Sequence, residues 1–434
     1  MKNKMKRRSF LQLMSAATAA ALMPTNTYAA EEYKGPLYIF VHADGGWDPT
    51  SMCDPKGHED GDTDPMNKQF KTSEIKTSSS GANIKYAPLG DEYKFQTFFD
   101  KYGQDLLIIN GLNSQTNGHE SGERYAGSGQ LAPGFPSLAA LVAGIHLPSS
   151  PMAYLGNGGY RRTEGVTAAT RIDNATRLAE ISVPNRIRID GNGDDVNYHS
   201  TSAFDRMLNK RKERLARLRS NQSLDNVFDS LKQFDLTHAS AADLKKINQY
   251  VPADINTHPK RRNTIFSQGR LAIAGYRAGL TVSLSVRMGG FDTHGNHDGN
   301  HDKRIQDVLE GVDLLMDEAK ANGIGNDIVI VMESEFGRTP GYNNTDGKDH
   351  WTTTSMMMMG KGITGNRVIG QTTARHKYMK VDPETLEVDE ENGVAMTFAH
   401  VHKSLRKHMG ISEHTLANEV FRIPNSVESM PIVI

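Results

Sequence analysis

The chain of 434 residues is 37% hydrophobic and 23% charged, enough for one large globular domain or two ordinary ones. A formal net charge of −1 excludes a strong global field recruiting nucleic acid or an anionic membrane. A single cysteine, Cys53, excludes an internal disulfide framework.

The N-terminus reads as a signal segment over residues 1–30, leaving one domain over 31–434. Lys6-Arg7-Arg8-Ser9-Phe10-Leu11 precedes a mildly apolar stretch, Leu13–Met23, and then Tyr28-Ala29-Ala30. Consecutive arginines before Phe-Leu resemble the twin-arginine export signal. That resemblance implies the twin-arginine translocase as a partner and a periplasmic or otherwise exported product. The apolar run is too short to span a bilayer, and no later segment reaches that length.

Leu37–His42 is the first buried strand, and glycines directly after it turn the backbone at the carboxyl edge. Asp44 and Asp48 there either ligate a metal or bond turn amides. Gly57–Ala82, polar and Ser/Thr-rich, reads as a surface loop. Asp91–Tyr102 has an aromatic helical face. Leu106–Ile109 is the second strand, followed by a strand-to-helix transition that carries His119 and Ser121. A helix start offers unpaired amides to an anion, so these two are candidates for a nucleophile or an anion contact. The alternative is a capping serine and a hydrogen-bonded histidine. Pro136–Ile145 is a short helix, and Tyr154–Asp190 reads as loops and edge strands.

Ala203–Phe234 is a long helix within an expected helical insertion over about 200–255. Its basic block, Lys210–Arg219, has acids interspersed and reads as a solvated face, not a nucleic-acid site. Helix Thr264–Ala278 leads to strand Leu280–Val286. Next come Asp292, His294 and His297, a density of imidazole and carboxylate that suits divalent transition metals. His301 and Asp302 read as the exposed start of a helix over 300–322.

Ile328–Met332 is a continuous apolar run, the mark of a strand buried on both faces. Glu333, Glu335 and Arg338 follow directly, and Asp349-His350 comes after a Gly/Asn-rich loop. In an open α/β sheet, ligands bind outside the carboxyl ends of the strands. Arg338 presents a planar fork matching phosphate or sulfate oxygens, or else pairs with Glu333 or Glu335. Ser355–Gly360 is a further strand whose four consecutive methionines alternate faces, as core residues do. Met396–Met409 is the last helix, with His400, His402 and His408 along it.

Alternating strands and helices indicate α/β architecture with a mostly parallel sheet. Five segments then carry a more specific resemblance. They are Gly45-Gly46 with Asp54-Pro55-Lys56, the run Gly289-Gly290-Phe291-Asp292-Thr293-His294, the run Ser334-Glu335-Phe336-Gly337-Arg338-Thr339, Asp349-His350, and Gly360–Gly370. In this order they resemble the twin-arginine-exported domain-of-unknown-function family 1501, placed in the alkaline phosphatase/sulfatase-like superfamily. The resemblance implies a three-layer α/β/α sandwich with one or two divalent ions (zinc, calcium, magnesium or manganese) at the carboxyl edge. It implies a nucleophile at a helix start, near His119–Ser121, and a metal shell from Asp292, His294, Asp349 and His350. Asp44, Asp48, His297 and Glu335 are further ligand candidates. No Cys-x-Pro-x-Arg run exists, so a formylglycine mechanism is unsupported.

The expected function is an exported metal-dependent hydrolase of phosphate or sulfate esters, on small molecules or glycans, with the oxyanion held by the metal and Arg338. The alternative is a non-catalytic, metal-retaining cell-surface or glycan-binding protein of the same fold.

Overall fold

The computed structural model describes residues 33–172, 183–189, 194–222, 224, 227, 231 and 245–433. The expected signal segment lies outside the described residues, as does most of the expected helix Ala203–Phe234 beyond residue 222.

In chain order the strands are β1 (Leu37–Asp44), β2 (Lys76–Thr77), β3 (Lys85–Tyr86), β4 (Leu107–Asn113), β5 (Tyr154–Gly156), β6 (Ala169–Thr170) and β7 (Arg186–Ile189). They continue as β8 (Asp195–Asn197), β9 (Ser283–Gly289), β10 (Ile328–Glu333), β11 (Gly337–Arg338), β12 (His350–Trp351), β13 (Thr353–Gly360) and β14 (Arg367–Ile369). The helices that frame them are α1 (Phe95–Tyr102), α2 (His119–Ser128), α3 (Leu138–His146), α4 (Thr201–Ser220), α5 (Thr264–Arg277), α6 (His297–Ala321) and α7 (Phe398–His408).

One eight-stranded sheet runs in the order β14-β4-β13-β10-β1-β9-β5-β6. Only β13 is antiparallel to its neighbours. The central register sets His42 opposite Glu333 and Asp44 opposite Gly289, so β1, β9 and β10 end at one level.

Side chains alternate across the sheet and make two cores, hence three layers. Ile39, Val41, Leu284, Val286, Ile330 and Met332 face α1, α5 and α6, whose Phe98, Leu271 and Leu309 fill that side. Tyr38, Val329 and Val331 face α2, α3 and α7, whose Tyr125, Leu141 and Val401 fill the other. The methionines of β13 divide accordingly, Met357 and Met359 into the first core and Met356 and Met358 into the second. Each such side chain contributes roughly 1.5–3 kcal/mol by leaving water.

One sequence expectation needs correction. The stripe of α6 that carries Ile305, Val308, Leu309 and Val312 extends back to His297 and His301 at helical spacing. His301 and Asp302 are therefore buried, not exposed. Helix α4, whose basic block reads from the sequence as a solvated face, has Leu215 as its one buried residue.

Candidate metal centre

The carboxyl ends of β1, β9 and β10 and the start of α2 converge. Two glycines allow it. Gly45 and Gly46 have φ of 124° and 86°, and a Cβ on Gly45 would strike the Asp292 backbone nitrogen, one on Gly46 the Phe336 ring. Beyond β10 the chain doubles back as the β11–β12 ribbon, which pairs Arg338 with His350.

Asp292 Oδ1, His294 Nε2 and His350 Nε2 form a triangle whose three sides are all 3.0 Å. An acceptor stands behind each ring. His350 Nδ1 donates to the Asn117 carbonyl at 2.7 Å, and His294 Nδ1 donates to Asp349 Oδ1 at 2.7 Å. With the proton on Nδ1, each neutral ring turns its Nε2 lone pair toward the other. Two lone pairs and a carboxylate oxygen repel at this separation unless a cation, or a proton in its place, lies among them. Ligand atoms about 2.0–2.1 Å from a tetrahedral metal lie roughly 3.3 Å apart, close to what is seen.

His119 stands at the same centre. Its Nδ1 donates to Glu335 Oε1 at 2.9 Å, and its Nε2 faces Asp292 Oδ2 at 3.4 Å. Ligand atoms of His119, Asp292 and His350 all lie within 4.8 Å of one another. His119 is thus placed as a fourth ligand candidate.

The charges suit this arrangement. Burial pushes the Asp292 carboxyl up, but the hydrogen bonds of Arg338 and His350, with the Arg338 and His294 charges, hold it at about 2. The bond to Glu335 raises the His119 imidazole despite the opposing effect of burial. Burial also pushes Glu335 up, and His119, His42 and the Gly45 amide more than compensate. The Gly45 amide reaches Glu335 Oε1 at 2.8 Å, and the Ser334 hydroxyl reaches Oε2 at 3.0 Å.

Several expected site residues stand elsewhere. Asp349 backs His294 and does not face the triangle. Arg338 is fully buried, so it is not an anion fork. Its Nε donates to the Gly46 carbonyl at 2.8 Å, its Nη1 to the Lys348 carbonyl at 2.9 Å, and its Nη2 to the Gly45 carbonyl and, at 2.8 Å, to Asp292. Ser121 is held in its own turn, 2.7 Å from the Thr116 hydroxyl and 3.0 Å from the Gly118 carbonyl.

Asp48 and His297 belong to a buried network beneath the centre. Asp48 takes the Lys348 ammonium at 2.5 Å and the Thr50 amide at 2.9 Å. His297 Nε2 is 3.3 Å from the same carboxylate, and its Nδ1 is 2.7 Å from the Thr293 hydroxyl. Asp44 lies at the end of β1, 3.2 Å from Arg287. The histidines of α7 are occupied away from the centre: His402 bonds the Ala126 carbonyl, and His400 bonds Thr397 and Glu428.

Sequence reasoning missed His42, Glu333 as a partner of His42, and Lys348. A histidine in the apolar run of β1 and a lysine directly before Asp349-His350 were the available signals.

Comparison with known proteins gives one family and several distant structures. The family described as "Protein of unknown function (DUF1501)" matches residues 37–419. A search of curated protein sequences gives no match. Among solved structures, the PsFucS1 sulfatase from Pseudoalteromonas sp. is 8% identical, with 98% of this chain and 78% of that chain covered and a TM-score of 0.35. The lipoteichoic acid synthase LtaP from Listeria monocytogenes is 8% identical, covering 90% and 76%, with a TM-score of 0.36. The alkaline phosphatase from the Antarctic bacterium TAB5 is 11% identical, covering 76% and 93%, with a TM-score of 0.30. These are low overall similarities.

Proposed function

The chain belongs to the DUF1501 family of proteins of unknown function, and from that premise we propose that it is an exported, metal-dependent hydrolase of phosphate or sulfate esters. The observation that supports the metal is the triangle of Asp292, His294 and His350, whose mutually facing acceptors a divalent cation would hold together. Three imidazoles and one carboxylate, with His119 included, form a donor set suited to zinc. The ester class rests on the sequence resemblance described above.

Each residue has a task. His119, Asp292, His294 and His350 would hold the ion. Asp349, Glu335 and the Asn117 carbonyl fix the rings by accepting from Nδ1. Arg338 ties Asp292 to the turn after β1. A bound divalent ion supplies a Lewis acid for an ester oxygen and lowers the pKa of a bound water. Ser121, held in its own turn by Thr116 and Gly118, is not presented as a nucleophile.

Export by the twin-arginine translocase rests on Arg7-Arg8. Among the described residues no helix is long and apolar enough to cross a membrane.

One observation favours a second reading, a metal-retaining protein without hydrolytic activity that binds a glycan or partner. Neither the Ser121 hydroxyl nor the Arg338 guanidinium is free to meet a substrate. Elemental analysis of the purified protein with a panel of aryl phosphate and sulfate esters separates the two. Hydrolysis lost together with the metal in His350→Ala supports the first. Bound metal without turnover of any ester supports the second, and absence of metal at any loading rejects both.

A further inference from the structure

Helix α4 has a side that the fold leaves uncovered. Of the large apolar side chains that stand exposed among the described residues, all but Val368 fall between Ile187 and Val227. On α4 these include Met207, 52% exposed, and Leu218, 39% exposed. About three helical turns separate the two, so they stand on one face, roughly 17 Å apart. The large apolar side chains that α4 covers, Leu215 buried and Phe204 half-buried, lie on the adjoining face. Just before the helix, Tyr198 is 65% exposed. The β7–β8 hairpin that carries exposed Ile187 is fastened there by two hydrogen bonds between Asn185 and His199.

Beside Met207 and Leu218 runs a ridge of cations. Arg206, Lys210, Arg214 and Arg217 follow one another at i, i+4, i+8 and i+11, and all are exposed. The one ion pair on this ridge among the described residues joins Lys210 to Glu213, and both side chains are largely in water, where such a pair is weak. Seven of the 20 residues of α4 are Lys or Arg and two are acids. The chain as a whole carries −1, so this positive charge is local to the helix.

We infer that α4 docks on an anionic phospholipid surface, with Met207 and Leu218 entering the acyl boundary and the Arg206–Arg217 ridge meeting the phosphates. A basic helix with an apolar edge lies in the plane of such an interface. Arginine and lysine keep their charged heads at the phosphates while their stems cover apolar surface, and a tyrosine such as Tyr198 suits the headgroup level. A nucleic acid or an acidic polypeptide would answer the charge but leave the apolar side chains in water. A second copy of this chain would bring the same cations and be repelled. A bilayer answers both features, and it accepts apolar side chains spread over a helix and a hairpin without a shaped groove. The inference goes beyond the proposed function and depends on no metal.

The test places a reporter on the helix. The full chain is mixed with vesicles of equal parts phosphatidylglycerol and phosphatidylcholine, or of phosphatidylcholine alone. Met207→Trp supplies the fluorophore, and its emission is read as the difference from the wild-type protein, so contacts elsewhere on the chain do not register. The emission should move to the blue on the mixed vesicles and stay unchanged on phosphatidylcholine. Leu218→Ser, and separately Arg206→Gln with Arg214→Gln, each added to Met207→Trp, should weaken that response about tenfold or more at unchanged melting temperature. Should Met207→Trp fail to fold, Leu218→Trp takes its place with Met207→Ser. No blue shift on the mixed vesicles overturns the proposal. A shift that Leu218→Ser leaves unchanged also overturns it, as adsorption by charge alone, and so does one that survives the loss of both arginines. Binding to polyglutamate or to a DNA duplex with no shift on vesicles assigns the ridge to an acidic polymer instead.

Discussion

His294 Nε2 and His350 Nε2 face each other at 3.0 Å although the residues are separated by 56 positions, and with each Nδ1 donating to the acceptor behind its ring, neither neutral imidazole has a proton left on Nε2 for the other. This pairing joins the β9 loop to the β11–β12 ribbon. A cation, or a proton, between the two nitrogens would resolve it.

Cation and proton therefore compete. The His119 imidazole titrates above its ordinary range because it donates to Glu335, so protons hold this ligand at higher pH than they would a free imidazole. Metal affinity should rise with pH and fall, by at least about tenfold per unit, as the imidazoles protonate. Zinc titration against a competing chelator from pH 5.5 to 8 measures this, and a flat profile would argue against imidazole ligation.

Removing the carboxylate behind His294 should loosen the ion without unfolding the chain. Asp349 is 55% exposed on its side chain, and its partners are His294 and Asn343. Asp349→Ala is expected to weaken zinc binding about 10–100-fold, the usual effect of losing such an outer partner. The melting temperature of the metal-free protein should stay within a few degrees.

Arg338→Lys should behave as a structural substitution. An ammonium cannot reach the Gly45, Gly46 and Lys348 carbonyls and Asp292 together, and the side chain is sealed from water. A loss of roughly 3–5 kcal/mol is expected in urea unfolding. A variant of unchanged stability that fails only to bind phosphate or sulfate would restore the guanidinium as an anion fork.

Asp302 gives a pH dependence of known sign. Burial, with the charge of Asp91 behind it, raises this carboxyl to about 6. The folded state thus holds the proton more tightly than the unfolded state does, so a folding penalty grows as pH rises from about 4 to about 6 and persists above. Asp302→Asn should stabilise the protein by about 2–3 kcal/mol at pH 7–8, with the gain vanishing below about pH 4. Thermal melts of both proteins across that range test it.

The strands were legible because β1, β4 and β10 are apolar runs, and the burial of a central strand demands such runs. The direction of β13 was not, because a stretch buried on both faces reads alike in either sense. Asp292, His294 and His350 stood out as polar residues just past strand ends. The roles of Asp349 and Arg338 were misread because adjacency in sequence does not say which atom points inward. His301 and Asp302 looked exposed because they are polar, whereas the helical phase of α6 carries them into the interior.

The buried pair of Asp48 and Lys348, with Thr293 between its neighbouring histidines, has a kinetic meaning. Lys348 also bonds the Thr293 carbonyl through its own amide at 3.1 Å, so the loops bearing both halves of the triangle are locked from beneath, where water does not reach. The ligands are then assembled when the chain folds, not when an ion arrives. Ion entry and loss would then not require the loops to rearrange. A metal-stripped protein is therefore expected to reload without refolding.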